Sequence, residues 1–274
     1  MQGNPPLVIE AGRTERHYWR DLWRYRELFL FLAWRDILVR YKQTVIGVAW
    51  SVIRPVATMV VFTIVFGRIA RLPSDGVPYP ILVFSALLPW HFFASAVAEG
   101  SNSLIENANI ISKVYFPRLI VPASAVVVSF VDFLISLALL ALLMAWYQFS
   151  PGPRVVLLPV FAALAILVAM GLTLLFAALN VRYRDFRYVV PFLIQFGLFI
   201  SPVGFSMSVI PETWRWLYAL NPMVGVIEGF RWSLLPDHVL DPQAVLFSAV
   251  ISLMALGCGT VYFRRTERSF ADIL

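Results

Sequence analysis

The sequence is short of what a soluble enzyme needs. Charged residues make up 14% of its 274 residues, against about 25% in an average soluble domain. Its single cysteine, Cys258, cannot form an internal disulfide, so cysteine usage says nothing of redox compartment. The only two lysines, Lys42 and Lys113, follow no glycine-rich run, so no P-loop (G-x-x-x-x-G-K-[ST]) holds ATP phosphates. No G-x-S-x-G nucleophile elbow occurs. The three histidines, His17, His91 and His238, stand far apart and make no metal-ligand spacing with one cysteine. No basic leader runs into a short apolar core, so no signal peptide is expected. Internal repeats are missing too, which argues against a secondary transporter built from inverted repeats.

What the chain has in quantity is apolar sequence. Hydrophobic residues reach 60%, mean hydropathy is +0.77, and the length suits one membrane domain with small appendages. A helix needs about 20 mostly apolar residues to cross the hydrocarbon core. Gaps between basic residues predict six spans, at about 48–67, 81–103, 119–146, 155–180, 189–207 and 243–263. Pro191 and Pro202 fall inside the fifth. The net charge of +6 comes from 20 arginines, most of them between apolar runs. That placement suits anionic lipid and not nucleic acid. Segments on the side of the two termini hold 16 basic residues and the opposite loops hold 5. The bias places both termini in the cytoplasm.

Two segments depart from a plain six-span bundle. Residues 18–43 alternate charged and apolar residues at helical spacing, with Leu22, Tyr25, Phe29, Leu32 and Asp36 on one stripe. They read as an amphipathic helix in the membrane interface. The alternative is a partly solvated helix that only anchors the first span. Residues 208–240 are too polar to span yet rich in aromatics. Pro211, Asn221–Pro222 and Pro236 divide them into two short helices of about 9 and 13 residues. They are expected to dip into the outer leaflet as a re-entrant cap, the alternative being an ordinary interfacial loop.

Three ionisable residues lie within spans: Arg54, Glu99 and Asp132. A charge in a membrane is costly, so each is a functional candidate. Arg54 and Glu99 lie toward the cytoplasmic ends of their spans, where they can snorkel or pair with each other. Asp132 is mid-span with no basic neighbour in its own helix. Three environments are open to it: a polar cavity, a hydrogen bond from a neighbouring helix, or protonation. His91 reads as an interfacial hydrogen-bonding residue.

Five segments, taken in order, resemble the membrane subunit of an ABC-2 type exporter, and within it the branch that exports lipid-linked O-antigen, capsule or teichoic-acid polymers. Residues 35–56 (RDILVRYKQTVIGVAWSVIRPV) resemble the family's R-Y-x-x-[TS]-x-[LI]-G-x-x-W-x-x-x-x-P approach to the first span. Residues 84–93 (FSALLPWHFF) resemble its G-x-x-P-W-x-F-F motif, with Ala86 where glycine is common. Residues 107–118 (NANIISKVYFPR) and 179–191 (LNVRYRDFRYVVP) resemble its two cytoplasmic loops. Residues 201–203 (SPV) and 220–231 (LNPMVGVIEGFR) resemble its late segments. The likeness covers about residues 35–263.

The resemblance implies an all-α integral membrane protein of the bacterial inner membrane. Its parts are a tail at 1–17, the interface helix at 18–43, the transmembrane domain at 44–267 and a tail at 268–274. It implies a homodimer carrying two ABC ATPase subunits, with ATP and Mg on those partners and no cofactor in this chain. The loop of Asn107, Lys113, Tyr115, Phe116, Pro117 and Arg118 matches the family's coupling loop. Arg182, Arg184 and Asp185 form a second candidate. Arg35, Arg40 and Lys42 are candidates for the phosphates of the lipid-linked substrate, because arginine pairs bidentately with phosphate. Trp214, Trp216, Asn221, Pro222 and Arg231 belong to the expected outer gate. Two rivals share parts of this pattern. One is a permease for a small hydrophobic compound. The other is a membrane enzyme acting on lipid-linked sugars, which would need clustered acids or histidines at one membrane face.

Overall fold

The computed structural model describes residues 18–42, 47–74 and 76–270. The expected tail at 1–17, residues 271–274 of the tail at 268–274 and the join at 43–46 lie outside the described residues; residues 268–270 continue the last helix through a 3-10 turn, Glu267–Ser269. Helices and short turns make up the fold, and among the described residues there is no strand. The chain runs through α1 (Tyr18–Arg24), α2 (Arg26–Lys42), α3 (Gly47–Phe62), α4 (Tyr79–Glu106), α5 (Ala108–Ile111) and α6 (Ile120–Trp146). It continues through α7 (Leu158–Arg182), α8 (Phe186–Ile200), α9 (Glu212–Ala219), α10 (Pro222–Leu234) and α11 (Pro242–Thr266). A π-helical stretch, Thr63–Ile69, extends α3.

Against six spans expected from sequence, five helices among the described residues are long and apolar enough to cross a membrane. They are α3 with its π-helical extension, α4, α6, α7 with its 3-10 lead-in, and α11. The expected fifth span, 189–207, is a helix of 15 residues that begins at Phe186 and ends at Ile200. At 1.5 Å per residue it is about 22 Å long. Pro202 therefore lies just beyond this helix and not within it, after Ser201 in extended geometry, the conformation that a following proline favours. Pro191, by contrast, is inside.

Helix α4 is the hub. Every residue from Ile81 to Trp90 is buried, as expected of a helix apolar on all sides. It contacts α6, α7, α10, α3 and α8. Helices α7 and α11 cross at glycine: a Cβ on Gly259 would lie 2.1 Å from the carbonyl oxygen of Gly171. Small residues at a crossing let two backbones touch, as membrane helices require. Helix α10 is capped by Asn221, whose side chain accepts from Met223 N at 3.0 Å and donates to Ser201 Oγ at 2.9 Å. It is buried from Met223 to Arg231. Helix α9 carries its tryptophans, Trp214 and Trp216, on the surface.

The expected amphipathic helix at 18–43 is two segments, α1 and α2, interrupted at Tyr25. The stripe read as belonging to an interfacial helix packs on protein instead. Leu22, Tyr25, Phe29 and Leu32 meet Phe116, Leu119, Phe263 and Phe270 in a core at the arginine-rich end of the bundle. The opposite face leaves Trp23, Leu30, Phe31, Trp34 and Leu38 exposed. Two other apolar faces stand uncovered: Trp50, Ile53, Val60 and Val61 on α3, and Phe192, Phe196 and Phe199 on α8.

Candidate functional site

Polar side chains recur at helical spacing within the most apolar elements, and the fold turns them toward one another. On α4 they are His91, Ser95 and Glu99; on α6, Ser129, Asp132 and Ser136. With Trp50 and Arg54 of α3 and Arg40 of α2 they line a cavity of about 300 Å³. Residues at i, i+4 and i+8 or i, i+3 and i+7 share a helix face, so each helix offers one stripe.

Arg40 closes the cavity. Its Nη2 donates to Glu99 Oε1, and its Nη1 donates to Asp132 Oδ2 at 2.5 Å. The Tyr41 hydroxyl donates to the other oxygen of Asp132. Of the environments open to Asp132, two hold together: it borders a polar cavity and accepts hydrogen bonds from a neighbouring helix. Glu99 is paired with Arg40, not with Arg54, and no ion pair involves Arg54 among the described residues. Arg54 instead borders the same cavity as His91, whose Nε2 is buried without a hydrogen-bond partner. A second cavity of about 720 Å³ lies toward the arginine-rich end and shares Arg40 and Glu99 with the first. Arg35 borders it, donating to Asn107 Oδ1 at 3.0 Å and pairing with Asp36. Of the three phosphate candidates, Arg35 and Arg40 thus hold partners within the chain, while Lys42 is exposed.

The loop after α4 has an exposed half and an anchored half. Ser112, Lys113, Val114 and Tyr115 are exposed, whereas Phe116 and Pro117 are buried. Arg118 donates through its backbone N–H to Glu267 Oε1 at 2.7 Å and through its guanidinium to the Glu267 carbonyl. The Arg264 guanidinium lies 4.6 Å from the Tyr18 ring centroid. Burial first, and then the negative charge of Glu267, push the Tyr18 hydroxyl well above the ordinary tyrosine value. One junction therefore ties this loop to α1 and to the end of α11. Arg182, Arg184 and Asp185 are exposed on the neighbouring turn between α7 and α8. Asn180 secures that turn by donating to Ser101 O at 3.0 Å and Asn102 Oδ1 at 2.9 Å.

At the far end, the expected gate residues separate. Trp214 and Trp216 are exposed, Asn221 caps α10, Pro222 opens it, and Arg231 is fully buried. Arg231 donates to Phe205 O at 2.9 Å and Val203 O at 3.3 Å, and faces Glu228 at 3.5 Å. His238 meets the other oxygen of Glu228 at 2.9 Å. Sequence reasoning missed Tyr41, Glu228, His238 and Glu267, and the serines of the cavity. Only the serines left a signal, in their spacing.

Known proteins match this sequence over most of its length. The sequence profile of the family described as ABC-2 type transporter fits residues 27–235. The O-antigen export system permease protein RfbA of Myxococcus xanthus is 30% identical over 92% of this chain and 97% of its own. An O-antigen export system permease protein RfbA of Klebsiella pneumoniae is 26% identical over 90% of this chain and 95% of its own. The polysialic acid transport protein KpsM of Escherichia coli is 24% identical over 88% and 93%. With several apolar helices long enough to span and a family profile covering most of the sequence, the chain belongs to the ABC-2 type transporter family, as a multi-pass membrane subunit that works with an ABC ATPase.

Proposed function

We propose that this permease exports a lipid-linked polysaccharide, of the O-antigen or capsule kind, from the cytoplasm across the bacterial inner membrane. The observation that carries the reading is the near-full-length likeness to O-antigen export permeases. In this reading two copies assemble as a homodimer, with the pathway between them. The uncovered apolar faces of α3 and α8 favour that arrangement. Helix α8 makes the sixth crossing, completed by the segment that follows it. Helices α9 and α10 close the outer side as a re-entrant pair, with Trp214 and Trp216 at headgroup level. The arginine-rich end faces the cytoplasm, in keeping with the 16-to-5 distribution of basic residues.

ATP and Mg act on the partner ATPases. The exposed stretch Lys113–Tyr115 meets an ATPase surface, and the buried Phe116–Arg118 stretch carries its movement inward. Because Arg118 is tied to Glu267 and Phe116 shares a core with α1 and α2, a push on this loop moves three elements together. Arg182, Arg184 and Asp185 add a second contact. Lys42, which is exposed while Arg35 and Arg40 are paired within the chain, meets the phosphates of the substrate lipid. The exposed face of α2 (Leu30, Phe31, Trp34) beds in the leaflet from which that lipid arrives.

The test is co-purification with the cognate ATPase and ATP hydrolysis in lipid nanodiscs. Lys113→Glu with Tyr115→Ala should weaken the complex and lower hydrolysis. An ATPase that binds and turns over equally with this double variant would overturn the coupling role. Export of polymer in cells must fail with the same variant.

A further inference from the structure

We infer that the 300 Å³ cavity bordered by α2, α3, α4 and α6 is a binding site for a single uncharged sugar ring of the lipid-linked substrate. The inference rests on the glycolipid reading above and deepens it. Its lining residues all come from α2, α3, α4 and α6 of one chain.

Charge selects the ligand class. Two guanidinium groups, Arg40 and Arg54, and two carboxylates, Glu99 and Asp132, border the cavity. Their formal charges cancel, and Arg40 is already occupied by both carboxylates. A net-neutral lining holds a phosphate or a metal cation poorly. It suits a ligand that both donates and accepts hydrogen bonds and carries no charge. Ser95 and Ser136 add hydroxyls of that dual kind, and Trp50 and Phe133 add flat apolar walls for the C–H face of a ring.

An unmet demand lies in the same place. His91 Nε2 is buried, has no partner and belongs to a residue that lines the cavity. Buried polar atoms are nearly always hydrogen-bonded, so such an atom calls for a ligand or water. The volume is at the small end for ligand sites, which run from about 300 to 1,000 Å³. It accepts one ring, not a polymer.

The route in is also present. The second cavity, of about 720 Å³, is bordered by Glu106, Asn107 and Asn109 at the arginine-rich end. It shares Arg40 and Glu99 with the first, so this ion pair is the wall between them. A glycolipid headgroup entering from the cytoplasmic side meets Glu106, Asn107 and Asn109 set among Val39, Ile110, Val121, Ala125 and Val128, and must part the Arg40–Glu99 pair to reach the inner cavity.

Equilibrium binding to the transporter complex in nanodiscs tests this with two probes: a polyprenyl pyrophosphate carrying one hexose, and the same lipid without the sugar. Ser95→Leu fills the cavity, and Ser136→Val is the milder second variant. Co-elution with the ATPase confirms that each is folded. Both variants should weaken the sugar-bearing lipid about tenfold, the loss of one good hydrogen bond, and leave the sugar-free lipid unchanged. Equal weakening of both probes would make the cavity a phosphate site. No change in either would make it a water-filled space only, and each of these results overturns the sugar site. A wild-type complex that binds neither lipid overturns the glycolipid reading itself.

Discussion

Replacing Arg40 by methionine is the sharpest test of the architecture. Methionine keeps the length of the side chain and removes the charge between Glu99 and Asp132. A hydrogen bond to a charged group contributes about 1.5–3 kcal/mol, so two amount to about 3–6 kcal/mol. The side chains of Arg40, Glu99 and Asp132 are 28%, 39% and 24% exposed. Partial exposure screens such pairs, and fully exposed ones fall to about 1 kcal/mol or less. A loss of about 2–4 kcal/mol follows. Part of it comes from leaving two carboxylates without a counter-charge. For a chain of this size each kcal/mol moves the thermal midpoint by about 2–4 °C, so the midpoint should fall by about 5–15 °C. Size-exclusion chromatography of the heated, detergent-purified protein measures it. Adding Glu99→Gln and Asp132→Asn removes the stranded charges and should restore most of the loss. A single variant that melts with the wild type would refute the reasoning, as would a triple variant no more stable than the single one.

Three further predictions concern other parts of the fold. A Cβ on Gly229 would lie 2.0 Å from Phe161 Cδ1; Gly229→Val should therefore overpack α10 against α7 and cost about 1–3 kcal/mol, seen as a lower melting midpoint in the same chromatographic assay. Arg231→Met takes the guanidinium from the buried Glu228 and leaves it His238, at a cost of about 3–5 kcal/mol, and should sharply cut the monodisperse yield, whereas pairing it with Glu228→Leu should recover part of that yield. The Tyr18 hydroxyl is held protonated by burial and by Glu267. Its folded pKa exceeds the unfolded value of about 10, so its contribution to stability is whole below that pH and is lost as pH climbs above it. Melting curves from neutral to strongly alkaline pH should show a decline that is smaller in Tyr18→Phe; identical declines would count against it.

The apolar runs and the ordered motifs determined an all-helical membrane chain of this family. Lipid leaves a spanning backbone few options, so composition over about 20 residues suffices to locate a helix. The stripe from Leu22 to Leu32 was legible for a similar reason, since period 3.6 marks a face. Period alone did not say where Pro202 would act. That proline follows the extended Ser201 at which α8 ends, whereas Pro89 and Pro191 lie inside helices.

Only the tertiary structure decided which charges meet. Glu99 and Asp132 were visible as costly groups in search of a partner, and Arg54 looked as eligible as any. Their partner is Arg40, 59 and 92 residues away in sequence, on a helix that does not span. Arg231 is the converse case: it reads as a residue of a polar outer loop and is wholly buried against Glu228. A low-dielectric interior demands that charge be paired, and this much follows from the sequence. The identity of the pair depends on which helices lie side by side and which way each stripe is turned, and helical periodicity carries no record of either.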